Sequence, residues 1–390
     1  MADVAQIYSI LNSVAAQAFG TSAQAVVDTR SMIALGDQVL ASNTNTDLFS
    51  GALMDRIGRT IVSSRIWNDP MRDPLVKKPF EFGSVLQKIY VDIEDAAANN
   101  AWEIGDGGYS PSFAPVYKPD VRQKLFNKIS TWEYNQTIPD YLYRTGFTSE
   151  EAMAAFITAL GVAIENSMAE ALRNANNLCR NTLMAYVING AGKNAVNVLT
   201  LYNTDHSGAT LTAAQAAVSP DFQRYLVKTM NDYKVYLRDL SRAFNMESFA
   251  RHTPEEDLVI TVLETVDSSI KAYLQSDTYH NELVSLGNRY NTVPYWQGPG
   301  TAGYTFSSLS GFKIKIVDPT DSTKSIDVQQ SGVLAVMHDI EAIGTTINDR
   351  RTTTERNNKD EYTDIFTKAN IGYFADRSEN CVVFYIADAS

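Results

Sequence analysis

The hydrophobic pattern is most sustained between residues 148 and 190. Apolar side chains recur there at helical spacing: Met153, Phe156, Ile157, Leu160, Ile164, Met168, Leu172, Cys179, Leu183 and Val187. Thr148 or Ser149 can cap the start, Glu150 and Glu151 suit the positive end of the helix dipole, and Asn189-Gly190 can end it. No proline interrupts the run. The spacing predicts one helix over 149–189, about 60 Å long, against a usual length of about 11 residues. Glu165, Glu170, Arg173 and Arg180 exclude a membrane span. Alanine, asparagine and threonine fill most positions that a coiled coil would charge. The expectation is a spine helix crossing a flat subunit with one stripe against a sheet. The competing reading is two shorter helices broken near 174–177.

Elsewhere the periods are shorter. Residues 1–50 are rich in alanine, serine and threonine, with weak helical patterning, and read as an arm that gains order on another body. A helix-like segment follows with Leu48, Leu53 and Ile57 along one side, then Pro70, Pro74 and Pro79 in an extended linker. Period two begins at 84, with Val85, Gln87, Ile89, Val91 and Ile93 alternating against Leu86, Lys88, Tyr90, Asp92 and Glu94. A second strand is predicted over 121–137. Together they make a long hairpin whose tip includes Gly105-Asp106-Gly107-Gly108. A lone hairpin is marginal, so this one must lean on another domain or chain.

Beyond the helix, 191–212 reads as loop with strand candidates at 196–202, followed by a helix over 222–244 opened by Pro220-Asp221. A buried strand at 257–263 and a helix at 265–279 suggest an α/β unit. Further strands are predicted at 313–317, 333–337, 343–347, 365–374 and 382–386, with a hydrophilic stretch at 348–361. The fold class is α+β.

Composition narrows the function. The 390 residues are 44% hydrophobic, enough for a large core. A net charge of −12 and an isoelectric point near 4.9 argue against electrostatic nucleic-acid binding. Cys179 and Cys381 are too few for a disulfide framework and read as buried thiols of a protein folded in a reducing cytoplasm. The start has no signal-peptide pattern, and no run of 18 apolar residues occurs, so a soluble protein is expected.

Chemistry is scarce. His206, His252, His280 and His338 have no metal-ligand spacing. Thr204-Asp205-His206-Ser207-Gly208 has the residue types of a catalytic triad, but neighbours in a polar loop usually make a turn. Asp106 would repel phosphate from the glycine-rich tip, and Asp92, Glu94, Asp95 and Asp106 miss the EF-hand spacing and read as an exposed strand face. Arg350, Arg351, Arg356 and Lys359 read as a solvated loop. No catalytic, cofactor-binding or metal-binding residue is assigned, which favours a structural protein over an enzyme.

The order of elements resembles the major capsid proteins of tailed double-stranded-DNA phages, the Hong Kong 97-type fold. Local similarity is to those of short-tailed podoviruses: Leu53-Met54-Asp55-Arg56-Ile57-Gly58, Asp73-Pro74-Leu75 with Lys77-Lys78, Lys88-Ile89-Tyr90-Val91-Asp92-Ile93 and Asn135-Gln136-Thr137-Ile138. The resemblance implies an N-terminal arm (1–83), an E-loop hairpin (84–138), a peripheral P-domain with the spine helix (139–195), an axial A-domain (196–331) and returning P-domain strands (332–390). It also implies self-assembly as pentamers and hexamers into an icosahedral virion shell, built in the host cytoplasm. Separate scaffolding and portal proteins and packaged DNA, held without specific binding, are the implied partners; no membrane is. Trp67, Trp102, Gly107, Tyr109 and Phe113 are the expected inter-subunit contacts. Some relatives cross-link an E-loop lysine, but none of Lys88, Lys118, Lys124 and Lys128 is marked as reactive, so no cross-link is expected. An encapsulin-like nanocompartment shell and, further off, a soluble α/β enzyme built on 196–331 are the alternatives.

Overall fold

The computed structural model describes residues 4–59, 75–76, 86–93, 121–126, 129–140, 142, 150–206, 210–275 and 289–388. Its helices are α1 (Val4–Phe19), α2 (Thr29–Leu40), α3 (Asn43–Arg59), α4 (Glu150–Gly190), α5 (Val198–Asp205), α6 (Pro220–Arg238) and α7 (Glu264–Gln275), with shorter turns between. Its strands are β1 (Leu75–Val76), β2 (Leu86–Val91), β3 (Val121–Phe126), β4 (Ile129–Pro139), β5 (Ala195–Asn197), β6 (Leu258–Leu263) and β7 (Arg289–Val293). The rest are β8 (Phe312–Val317), β9 (Ser325–Gln330), β10 (Val333–Asp339), β11 (Ile343–Asn357), β12 (Tyr362–Ala375) and β13 (Cys381–Tyr385).

The long helix is a single piece of 41 residues. The asparagines at its middle do not break it, and two of the nearby amides are engaged by groups other than the helix backbone. Asn177 accepts from Arg180, and Asn181 donates to the Trp296 carbonyl at 2.9 Å. The left-handed residue at its end is Ala191 (φ 46), not Asn189 or Gly190. The predicted caps Thr148 and Ser149 lie outside the described residues.

Two cores sit along α4, rather than one sheet along one stripe. Ile164 and Met168 pack with Ile138 of β4, Ile365, Ala369 and Ile371 of β12, and the N-terminal helices. About three turns further on, Cys179, Leu183, Met184 and Val187 pack against β6, β10 and β13. Both cysteines are buried free thiols.

Residues 4–59 correct the expectation of an arm ordered elsewhere. Leu11, Val14, Met32, Leu35, Val39, Phe49 and Leu53 are buried in the core they share with α4 and β12. Each helix carries little apolar surface, but three together, set on α4, close a core. Asp28 and Ser31 form a capping box on α2, and the Asn12 side chain bonds both backbone groups of Val26.

Sheet pairing revises three further expectations. The second hairpin strand divides: β3 pairs with β2, whereas β4 pairs along its whole length with β12. The hydrophilic stretch 348–361 is not a loop but the continuation of β11 and β12, in the sheet β1-β11-β12-β4. Its arginines are tied down, Arg350 to Glu165 and Arg356 to Asp140, each at 2.6 Å. Residues 332–390 serve two sheets, since β10 and β13 occupy the interior of β5-β13-β10-β6-β7. Val333–Asp339 is buried along its length, as a central strand covered on both faces must be. A boundary at 331 would therefore cut one sheet in two.

One expected strand and one expected helix end also differ: the strand expected over 196–202 covers only Ala195–Asn197. Residues 198–202 are helical, because the Asn197 side chain caps α5. Helix α6 stops at Arg238, and the chain turns into a loop held by the Ser241–Arg251 bridge.

His338 gives the central sheet a titratable group. It is fully buried in β10, and its Nδ1 lies 2.8 Å from the Asp339 carbonyl, which places the proton on Nδ1 and leaves Nε2 without a protein partner. Burial, reinforced by the Arg180 charge, pushes its pKa down to about 4. The native ring therefore stays neutral where the unfolded ring protonates. Stability is lost as pH falls from about 6.5 towards 4, at about 1.4 kcal/mol per pH unit. Neighbouring Asp339 is pushed up to about 6 by burial and nearby Glu379, and its slope runs the other way, stability falling as pH rises from about 4 to 6. The two nearly cancel. In a His338→Gln variant the Asp339 slope should stand alone: the unfolding free energy from urea denaturation should fall between pH 4 and 6 by about 1 kcal/mol per pH unit relative to wild type. Parallel pH profiles would contradict this.

Candidate functional site

The hairpin of β2 and β3 has two unlike faces. Antiparallel register sets Gln87, Ile89 and Val91 opposite Leu125, Gln123 and Val121, and Lys88 and Tyr90 opposite Lys124 and Arg122. Period two sends the first set to one side and the second to the other. Sequence logic would bury the apolar face. The structure does the reverse: Ile89, Val91, Ile93, Val121 and Leu125 are each more than half exposed, while Tyr90 is buried.

The charged face is seated on the body of the same chain. Its seat is the loop after α6, Glu341, and the turn 376–380 that joins β12 to β13. Lys88 Nζ lies 3.1 Å from Asp376, 2.7 Å from Glu379 and 3.2 Å from Glu341. Lys124 Nζ lies 2.9 Å from Asp376 and 2.6 Å from Glu247. The Tyr90 hydroxyl donates to Asp376, which also accepts from the backbone N–H and hydroxyl of Ser378. Aromatic contacts surround these pairs: Tyr90 stacks on Phe249, Phe126 on Phe374, and the Arg251 guanidinium lies over the Tyr90 ring.

Charge explains why the seat holds. The Asp376 side chain is fully buried, which alone would raise its pKa, but Lys88 and Lys124 outweigh burial and hold it below the usual carboxylate range. Burial alone would lower the Lys88 pKa; Asp376 and Glu379 reverse that and raise it. Burial and the bond to Asp376 raise Tyr90. The depressed Asp376 pKa makes its contribution complete above about pH 4 and lost only at lower pH. Asp92, expected on an exposed face, is instead drawn in by Arg242 at 2.6 Å.

The other sequence candidates do not converge. His206 ends α5, stacked on Tyr202, and Asp205 accepts from the Tyr225 hydroxyl, so Thr204, Asp205 and His206 form a helix terminus, while Ser207 and Gly208 lie outside the described residues. Among the described residues no group of histidine, cysteine and acidic side chains is placed to hold a metal ion, and no helix is long and apolar enough to cross a membrane. Trp67, Trp102, Gly107, Tyr109 and Phe113 lie outside the described residues, as do Glu94, Asp95 and Asp106. Sequence reading missed Lys88, Tyr90, Lys124 and Asp376 as a unit. The available signal was two lysines at mirrored positions of one predicted hairpin.

The family model for Phi29-like phage major capsid proteins matches residues 10–385. The chain belongs to that family. A curated major capsid protein, from Bacillus phage GA-1, is 27% identical over 138 residues, 34% of this chain. The match spans about a quarter of that relative's length (27%). The fold is that of phage capsids: the capsid structure of Staphylococcus phage Andhra aligns with a TM-score of 0.50 at 10% identity, covering 84% of this chain and 88% of that one. The capsid of cyanophage P-SCSP1u aligns at 0.46 and 12% identity, over 85% and 93% of the two chains. A phage major capsid protein is a structural component of the virion, which is where the family places this chain.

Proposed function

We propose that the chain is the subunit of an icosahedral phage shell, assembling with copies of itself as pentamers and hexamers around packaged double-stranded DNA. The observation that carries this reading is the exposed apolar face of the β2–β3 hairpin, on a chain whose family match runs nearly end to end. A contiguous apolar face on a soluble subunit marks an interaction site. In this reading the hairpin is the base of the E-loop, and its outward face lies on the adjacent subunit.

The remaining assignments follow the sheets. Helix α4 is the spine, β4, β11 and β12 belong to the P-domain, and β5, β6, β7, β10 and β13 make the A-domain sheet, with β8 and β9 beside it. Trp67, Trp102, Gly107, Tyr109 and Phe113 are proposed to extend the inter-subunit contact. A separate scaffolding protein and a portal complete the assembly. The charge of −12 keeps packaged DNA from adhering to the wall. No enzymatic reaction is assigned. The family match favours a virion over a nanocompartment shell. Co-expression with the scaffolding protein, followed by electron microscopy, should yield closed shells; subunits that stay monomeric with scaffold present would refute the reading.

A further inference from the structure

We infer that the Asp376 cluster is a latch that sets the direction of the hairpin, and so decides whether its apolar face is presented to a neighbour. The inference rests on the assembly reading above and adds how the contact is controlled within one subunit.

The hairpin cannot hold this posture by itself. Lys88 and Lys124 stand directly opposite each other in register, and like charges so placed repel. Asp376 answers both, one lysine on each carboxylate oxygen. The body side of the cluster contributes four carboxylates, Asp376, Glu379, Glu341 and Glu247. Two arginines of the body accompany them, Arg251 beside Glu379 and Arg377 beside Glu247. Without the hairpin that seat carries two excess negative charges. Lys88 and Lys124 balance the charges of these ion-paired groups. Lifting the hairpin thus separates the repelling lysine pair from the ion that answers it and strips charge compensation from a buried carboxylate, which is costly. A second pair holds the strand just beyond: Arg242 bonds both the Asp92 carboxylate and the Ile93 carbonyl.

The contacts are also placed for release without unfolding. The charged contacts run from β2 and β3 to a loop, a turn and Glu341, and the stacking of Phe126 is on Phe374 near the end of β12; none of these residues belongs to either core. Letting go changes neither the five-stranded sheet nor the α4 packing.

The test combines hydrogen exchange on unassembled subunits with microscopy of assembly reactions, using the Lys88→Met/Lys124→Met variant. Amides of 86–93 and 121–126 should exchange at least about tenfold faster than in wild type, because a two-stranded hairpin off its seat is marginal, while β10 and β13 keep their protection. Closed shells should be lost. Unchanged hairpin exchange would overturn the latch, and so would a parallel rise in β10 and β13, which would make the cluster a prop of the whole fold. Selective release with normal shells would overturn its control of assembly. If the double variant does not fold, Lys88→Met/Glu379→Gln removes one charge of each sign and is read on the same amides against the same criteria. Failure of the wild-type chain to form shells with scaffold would instead refute the assembly reading, independent of the exchange result.

Discussion

Replacing Ile89 and Val91 together with aspartate is expected to abolish shell formation while leaving the subunit folded. Both side chains stand on the outward face of β2, at 60% and 59% exposure, and neither belongs to either core. Their loss from the free subunit therefore costs little, since surface changes away from packed features usually fall within about 0.5 kcal/mol. At a subunit contact the sum differs. Burying an aliphatic side chain contributes about 1.5–3 kcal/mol, and an aspartate in its place must be desolvated without a partner. Two such changes should weaken each contact by at least about 4 kcal/mol, roughly a thousandfold. A shell repeats the contact in every subunit, so the defect compounds. Sedimentation would report soluble subunits in place of particles, and circular dichroism would report an unchanged fold. Normal particle yield would remove the hairpin face from the assembly contact.

The second large effect concerns the spine helix. Asn176→Pro should remove at least about 3 kcal/mol of stability, because proline deletes a backbone hydrogen bond and clashes with the preceding turn. Its position matters more than its local cost. Asn176 lies between Met168, which serves the core of the N-terminal helices, and Cys179, which opens the core of the central sheet. A kink there uncouples the two cores, and urea unfolding should change from one transition to two. Leu178, two residues on and 44% exposed, is the control: Leu178→Ala should stay within about 0.5 kcal/mol. A single unshifted transition for the proline variant would mean that α4 does not join the cores.

Much of this fold was legible from periodicity, and the failures share a cause. Helix α4 was readable almost to the residue because its signal is local: a long 3.6-residue period without proline. Residues 4–50 were misread as an arm ordered elsewhere because their burial partners, α4 and β12, are remote in sequence, and alanine-rich helices show little apolar surface until paired. The stretch 348–361 looked like loop because threonine, arginine and aspartate suit a solvated surface as well as a long hairpin held by Glu165 and Asp140. In the hairpin, period two was correct, but polarity pointed to the wrong face. Ile89 and Val91 would normally turn inward; here Asp376, nearly 300 positions away, gives the lysine face a better seat. Where the sequence pattern and the single-chain burial disagree, at Ile89 and Val91, is where we propose the assembly surface.

Thiol labelling offers the most direct test of that surface. The native cysteines are buried, so a Val91→Cys variant adds one accessible thiol to a quiet background. In unassembled subunits Cys at that position should react readily with a maleimide, as Val91 is 59% exposed. In closed shells the neighbouring subunit should shield it and labelling should fall sharply. Equal labelling of free subunits and shells would contradict the account.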